Sequence, residues 1–166
     1  MKRLFVLMTA AVVSAGAACI PAGAAPASET IEIPGGEHKL KAILYRPDGA
    51  GPFPAVVALH GCGGLYNPGG ALRTVYRDWS QRLVAQGFAV LYPDSHAARS
   101  LGNQCGVRGR GARLARERVT DANAARAWLA EQPWTVHERI ALLGWSSGGI
   151  SALWAVRPKT GNAAEL

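Results

Sequence analysis

The pattern Gly-x-Ser-x-Gly at residues 144–148 is the feature that most constrains how this chain can fold. It directly follows the apolar run 140–143 and leads into an apolar segment with helical spacing. A strand that turns sharply into a helix crowds its backbone, and a glycine at each end of the turn relieves that crowding. The pattern therefore predicts a strand–turn–helix unit that lifts Ser146 out of the fold. A serine held in this way is a candidate nucleophile.

A second glycine-rich loop lies far upstream. The apolar run 54–59 ends in His60, which is followed by Gly61, Cys62 and two further glycines. Backbone N–H groups in such a loop can approach a reacting oxygen, which is typical of an oxyanion hole. A flexible connection between a strand and a helix is the alternative. The loop and the 144–148 turn each follow a predicted strand, and the pair is more specific than either segment alone.

These two segments, with residues 51–57 and the run 90–95, resemble the dienelactone hydrolase family of α/β-hydrolases over about residues 29–157. The resemblance is to serine-bearing, secreted relatives and covers the N-terminal half of the family's pattern. It implies an α/β-hydrolase fold, a mostly parallel sheet with flanking helices. It also implies Ser146 as the nucleophile, with the backbone N–H groups of Cys62 and Ser147 as oxyanion donors. The residues expected around the substrate are His60, Gly61, Gly63 and Trp145.

The implied reaction is acyl transfer on a small-molecule ester or lactone through Ser146. The chain contains no phosphate loop, dinucleotide fingerprint or metal-ligand spacing, so we expect no cofactor and no metal. Its formal net charge is +7, and the excess lies mostly in arginines between residues 99 and 118. Because no aromatic residues are interleaved with these arginines, we interpret them as a solvated loop and helix start and expect no nucleic-acid partner. An anion-binding surface is the alternative. The sequence does not predict an oligomeric state.

The segment after Ser146 departs from the family pattern. In this fold the acid and the histidine of the triad follow the nucleophile. All four histidines precede Ser146, and Glu165 is the only acidic residue after it. We therefore expect a domain that stops after its nucleophile helix, with the strand at 139–144 on the sheet edge and little turnover by the chain alone. An inactive hydrolase fragment and a binding module completed by another chain remain alternatives.

Residues 1–24 have the pattern of a secretory signal peptide. Lys2 and Arg3 precede the apolar core 4–18, and small residues at 22–24 offer a cleavage site. We expect cleavage after Ala24, a periplasmic or secreted location, and no stable membrane association afterwards. An uncleaved anchor is the alternative. Residues 25–166 then form one hydrolase domain, incomplete at its C-terminus.

Two cysteines, Cys62 and Cys105, remain after the predicted cleavage. In an oxidising compartment they could form a disulfide, because both would leave the same edge of the sheet. A free Cys62 thiol near the site and two unrelated buried thiols are the alternatives. The rest of the chain alternates strand and helix signals, as a parallel sheet requires. The predicted strands are 31–33 and 40–45, an antiparallel opening pair around the turn 34–36, followed by 54–59, 88–92 and 139–144. The predicted helices begin near Leu72, Leu114 and Ser147, and Pro158 stops the last. One face of the first helix is expected to carry the apolar residues Leu72, Val75, Tyr76, Trp79 and Leu83.

Overall fold

The computed structural model describes residues 26–35, 38–109 and 111–157. The predicted signal segment 1–24, the helix stop at Pro158 and the late acid Glu165 lie outside these residues. None of the helices described is both long enough and apolar enough to cross a membrane.

Strands and helices alternate in the order expected from the sequence. The strands are β1 (Ser28–Gly35), β2 (His38–Tyr45), β3 (Phe53–Leu59), β4 (Ala89–Pro93) and β5 (Thr135–Gly144). The helices are α1 (Thr74–Ala85), α2 (Gly111–Ala130) and α3 (Ser147–Val156), with a short 3₁₀ turn at Ala97–Arg99. Both β1 and β5 are longer than predicted.

The five strands form one sheet in the order β1-β2-β4-β3-β5. The strand β2 pairs antiparallel with β1 and with β4, whereas β3 lies parallel to both β4 and β5. The α/β-hydrolase type of fold is confirmed, and so is the antiparallel opening pair. The sheet is mixed because β2 alone runs against the other strands: the opening β1–β2 hairpin reverses direction without a crossover helix. As expected, β5 lies at the edge of this sheet.

Apolar residues cover both faces of the sheet. One face packs against α2 through Val57, Leu91 and Leu129. The other face packs against α1, where Tyr76 meets Tyr92. Because β3 and β4 are covered on both faces, their side chains form nearly continuous buried runs, as expected of parallel strands in a sheet with helices on both sides.

The predicted buried face of α1 is partly wrong. Val75 and Trp79 were assigned to that face but are 40% and 42% exposed, while Ser80 is fully buried. The Ser80 hydroxyl donates to the Tyr76 carbonyl at 2.7 Å and lies 3.2 Å from the Tyr92 hydroxyl. A polar residue can take the inner position because its hydroxyl finds buried partners.

Candidate active site

Ser146 occupies the turn between β5 and α3. Its backbone has φ 50° and ψ −120°, a conformation that is rare for any residue other than glycine, and the residue is exposed. Such a backbone costs about 1–3 kcal/mol and persists only where the surrounding structure holds it. Here the Gly148 N–H donates to the Trp145 carbonyl at 2.8 Å, and the Ile150 N–H donates to the Ser146 carbonyl at 3.1 Å. The predicted strand–turn–helix unit is therefore present.

The flanking glycines are required by close contacts. A Cβ atom on Gly148 would overlap the Leu59 carbonyl oxygen and lie 2.6 Å from the His60 carbonyl oxygen. A Cβ atom on Gly144 would overlap the Gly148 carbonyl group. No side chain fits at either position, so the turn packs directly on the end of β3.

The loop after β3 lies against the Ser146 turn. The Trp145 N–H donates to the Leu59 carbonyl at 3.1 Å, and the Cβ position of Gly61 lies 3.5 Å from the Ser146 Cβ. Within the described part of the chain, neither the Cys62 N–H nor the Ser147 N–H donates a hydrogen bond. The two predicted oxyanion donors are thus unused backbone donors on adjacent segments.

Several side chains fix this loop from outside it. The Tyr76 hydroxyl accepts from the Gly61 N–H at 2.8 Å, and Arg73 donates to the Gly63 carbonyl at 2.9 Å. Cys62 forms a disulfide with Cys105, with the two Cα atoms 4.9 Å apart. The Gln104 N–H also donates to the Cys62 carbonyl at 2.9 Å. The disulfide that the sequence left as one of three alternatives is present.

Trp145 packs in an aromatic cluster beside the turn. Its ring lies 5.3 Å from that of Tyr76, 6.1 Å from that of Trp79 and 6.2 Å from that of Tyr92, measured between centroids. Trp79 keeps part of its surface in solvent while it contacts Trp145. The variable position of the turn therefore anchors it to α1 and β4.

His60, Asp94 and His96 form a buried cluster beneath the loop. The Nδ1 atom of His60 lies 2.8 Å from the Gly61 carbonyl oxygen, and its ring meets His96 edge-on at 4.5 Å. Burial, with the nearby Arg118 charge, lowers the pKa of His60 well below 6.5 and that of His96 to about 4. Burial raises the pKa of Asp94, whose carboxylate accepts the Ala97 N–H at 3.1 Å. The His60 ring is fully buried, so it supports the loop from beneath.

The interpretation of the 99–118 arginines as solvated is wrong for two of them. Arg118 is fully buried and donates to the His60 carbonyl at 2.7 Å and to Ser147 Oγ at 3.4 Å. Burial lowers the pKa of Arg118 to about 10. Arg99 pairs with the buried Asp121 at 2.7 Å. Helical spacing could have found Arg118, because it falls on the same α2 stripe as the buried Ala115, Ala122, Ala125 and Leu129.

The described residues contain neither a hydrogen-bond partner for Ser146 Oγ nor a metal-binding cluster. No side chain hydrogen-bonds to Ser146 Oγ there. No cluster of three or more His, Cys, Asp or Glu residues with metal-binding geometry occurs there either.

Comparison with known families agrees with this geometry. Residues 35–163 match the family model described as X-Pro dipeptidyl-peptidase (S15 family). The chain belongs to the S15 family. This match spans more than half of the chain and includes both the 60–64 loop and the 144–148 turn. No curated protein matches the chain significantly.

Solved structures extend the comparison to the dienelactone hydrolases. A dienelactone hydrolase from Anabaena variabilis is 28% identical, with a TM-score of 0.56 over 80% of this chain and 57% of its own. A dienelactone hydrolase-like promiscuous phosphotriesterase from metagenomic libraries is 22% identical, with a TM-score of 0.60 over 80% of this chain and 54% of its own. The acylaminoacyl peptidase of Pyrococcus horikoshii shares the fold at 18% identity and a TM-score of 0.60, over 80% of this chain and 21% of its own.

The predicted resemblance to dienelactone hydrolases is confirmed by these matches. This S15 family member spans about half the length of the dienelactone hydrolases that it matches. The similarity therefore extends over only part of each of those hydrolases.

Proposed function

We propose that this chain carries the nucleophile and the oxyanion hole of a serine hydrolase that cleaves a small-molecule ester or lactone by acyl transfer. The observation that carries the proposal is the exposed Ser146 on a strained turn, packed against a loop with an unused N–H group. Ser147 supplies the second unused N–H group, directly after the serine. Acyl transfer through a tetrahedral intermediate requires such a nucleophile beside oxyanion donors, together with a general base.

In the proposed reaction, Ser146 Oγ attacks the substrate carbonyl carbon and passes its proton to a general base. The carbonyl oxygen becomes an oxyanion that accepts from the N–H groups of Cys62 and Ser147. Collapse of this intermediate breaks the ester bond, and the leaving alkoxide takes up the proton. Water then releases the acid and restores the serine. No described side chain reaches Ser146 Oγ, so we assign the base to none of them.

The sequence resemblance supports an ester or lactone as the substrate. The family model and some structural neighbours are instead named for peptidases, which act on the same carbonyl chemistry with an amine as leaving group. The comparison to make is therefore between a p-nitrophenyl ester, a small lactone and an X-Pro anilide. The proposal predicts acylation by the ester or the lactone and none by the anilide.

Labelling with a fluorophosphonate tests the nucleophile directly. We expect slow stoichiometric labelling of Ser146, located by peptide mass spectrometry and lost in Ser146→Ala. Ser28→Ala, at an exposed serine on β1, is the matched control and should label normally. An oxyanion hole without a paired base gives a residual acceleration of about 10³–10⁴ over water, so ester turnover should be weak. Labelling of another serine, or none at all, would contradict the proposal.

A binding module is the second candidate, favoured by the β5 edge. A groove of about 260 Å³ lies beside this edge and is lined by Ile140, Leu142 and Ala155. The strand β5 pairs only with β3 among the described strands, and such an edge can accept a strand from another chain. Size-exclusion chromatography distinguishes the candidates: a well-folded monomer would contradict completion by a second copy.

We also propose that the chain is exported. The Cys62–Cys105 disulfide supports this, because structural disulfides persist in oxidising compartments. N-terminal sequencing of protein expressed in a bacterial host should begin just after Ala24, in the periplasmic or medium fraction. Recovery from the membrane fraction with an N-terminus at Met1 would contradict it.

A further inference from the structure

Arg118 is a buried guanidinium that joins the two segments of the candidate oxyanion hole. It lies on α2, outside both segments, and has no exposed surface. One nitrogen, Nη2, donates to the His60 carbonyl at 2.7 Å, at the start of the loop. The other, Nη1, donates to Ser147 Oγ at 3.4 Å, at the start of α3.

Stability alone does not explain this residue. Removing a cation from water costs several kcal/mol, and a buried charge is normally paired with a carboxylate. In the described structure Arg118 forms no ion pair, since the nearby Asp121 carboxylate binds Arg99 through both oxygens at 2.7 and 3.0 Å. Apolar side chains of similar volume often replace buried charges at no cost in stability. The position therefore points to a role in the site.

We infer that Arg118 is a positioning residue that sets the separation between the backbone N–H groups of Cys62 and Ser147. The inference rests on the proposed function, in which these two groups hold the oxyanion. Both donors must lie about 2.7–3.1 Å from one oxygen, although they belong to separate segments of the chain. His60 lies two residues before the first donor, and Ser147 carries the second. A planar guanidinium that donates to both the His60 carbonyl and Ser147 Oγ fixes one segment relative to the other. A lysine has one nitrogen and cannot hold both partners in a fixed geometry.

The test compares Arg118→Met and Arg118→Lys with the unmodified full chain under non-reducing conditions. Fluorophosphonate labelling of Ser146 gives the rate, and ¹H–¹⁵N NMR follows the Cys62 and Ser147 amide protons. A misplacement near 1 Å costs about 100-fold, so we expect Arg118→Met to label about 10–100-fold more slowly. In the unmodified chain both amide protons should move downfield on labelling, because they donate to the phosphonyl oxygen. In Arg118→Met at least one should not move.

Arg118→Lys keeps the buried positive charge but cannot form both hydrogen bonds of the planar guanidinium. Ser146 of this variant should be labelled at least about threefold more slowly. It is the variant on which the test rests if Arg118→Met does not fold. Arg113→Gln is the matched control, because Arg113 is an exposed arginine of the same helix, and its labelling should be unchanged. Labelling at the unmodified rate, with normal amide responses, in a folded Arg118 variant would overturn the inference.

Failure of the proposed function gives a different result. If Ser146 of the unmodified chain is not labelled at all, the nucleophile proposal fails, and the free protein still tests the positioning. The Cys62 and Ser147 amide resonances should then differ between the unmodified chain and Arg118→Met but not in Arg113→Gln. Unchanged Cys62 and Ser147 resonances in Arg118→Met would overturn the inference.

Discussion

The two segments of the candidate site are held in place in different ways. The 60–64 loop is fixed from outside by the side chains of Tyr76 and Arg73 and by the disulfide to Cys105. The Ser146 turn packs backbone against backbone at its glycines, and the Trp145 ring anchors it to α1 and β4. The outer face of α3 is exposed to solvent. Leu153 and Val156 on that face are 72% and 67% exposed.

This difference indicates where the site resists change. The loop is held by several side chains and by the disulfide, and these contacts can be removed one at a time and compared. The packing of the turn on β3 depends instead on Gly144 and Gly148, two positions where no side chain fits. The solvent-exposed face of α3, in contrast, should contribute little to the free energy of unfolding. Perturbations of each segment therefore test the comparison.

The largest expected effect is loss of the disulfide. Its cysteines are 43 residues apart, and closing a loop of this order stabilises the fold by about 2–4 kcal/mol. We expect Cys62→Ala with Cys105→Ala to lower the free energy of unfolding by that amount in urea titrations. The unmodified chain in dithiothreitol should match the double variant. Equal stability with and without reductant would show that the disulfide is unimportant.

Adding a methyl group to the turn should have the next largest effect. Gly148→Ala places a Cβ against the Leu59 and His60 carbonyl oxygens and should cost about 1–3 kcal/mol or more of unfolding free energy. Gly102→Ala is the control, because a Cβ atom at this position would have no heavy atom within 4 Å. Gly102 is exposed, so the control should be nearly neutral. Similar losses in both variants would contradict direct packing of the turn on β3.

Acidification should loosen the loop through the histidines beneath it. Burial lowers the pKa of His60 and of His96 below 6.5, so below that pH the unfolded chain binds protons that the folded chain does not. The stability must then fall as the pH falls, by about 1.5 kcal/mol for the two histidines together between pH 7.5 and 6.0. Asp94 acts in the opposite direction, since its raised pKa favours the folded state as the pH approaches 3.8.

Urea titrations across this pH range measure the effect. His96→Asn should flatten the dependence, whereas His137→Asn, at an exposed histidine of β5, should leave it unchanged. A stability that rises as the pH falls from 7.5 to 6.0 would contradict the burial of neutral imidazoles beneath the loop.

The smallest expected effect is on the bare face of α3. Leu153→Gln replaces a side chain that is 72% exposed and should change the free energy of unfolding by less than about 0.5 kcal/mol. A loss of about 2 kcal/mol or more, as for a buried leucine, would show that this face is covered in solution. In that case the binding-module candidate would gain support.

The order of elements could be predicted because it depends on local patterns. Apolar runs bounded by glycine and proline located β3, β4 and β5, and the spacing of Gly144 and Gly148 predicted the turn that the structure contains. Two features escaped prediction. Side chains of α1 were assigned to the wrong face at Val75 and Trp79. The buried Arg118 and the partly buried Arg99 were interpreted as part of a solvated loop and helix start.

By itself, the sequence determined the turn, the loop and the strands that precede them, because steric crowding and apolar periodicity act between near neighbours. Only the tertiary structure decided that Cys62 and Cys105 form a disulfide rather than remain free thiols. The two residues meet because β3 and β4 lie parallel and side by side. The tertiary structure also decided that Arg118 on α2 lies under residues His60 and Ser147, far from it in sequence. A buried charge depends on hydrogen-bond partners that distant segments supply, and local sequence carries no record of which segments will meet.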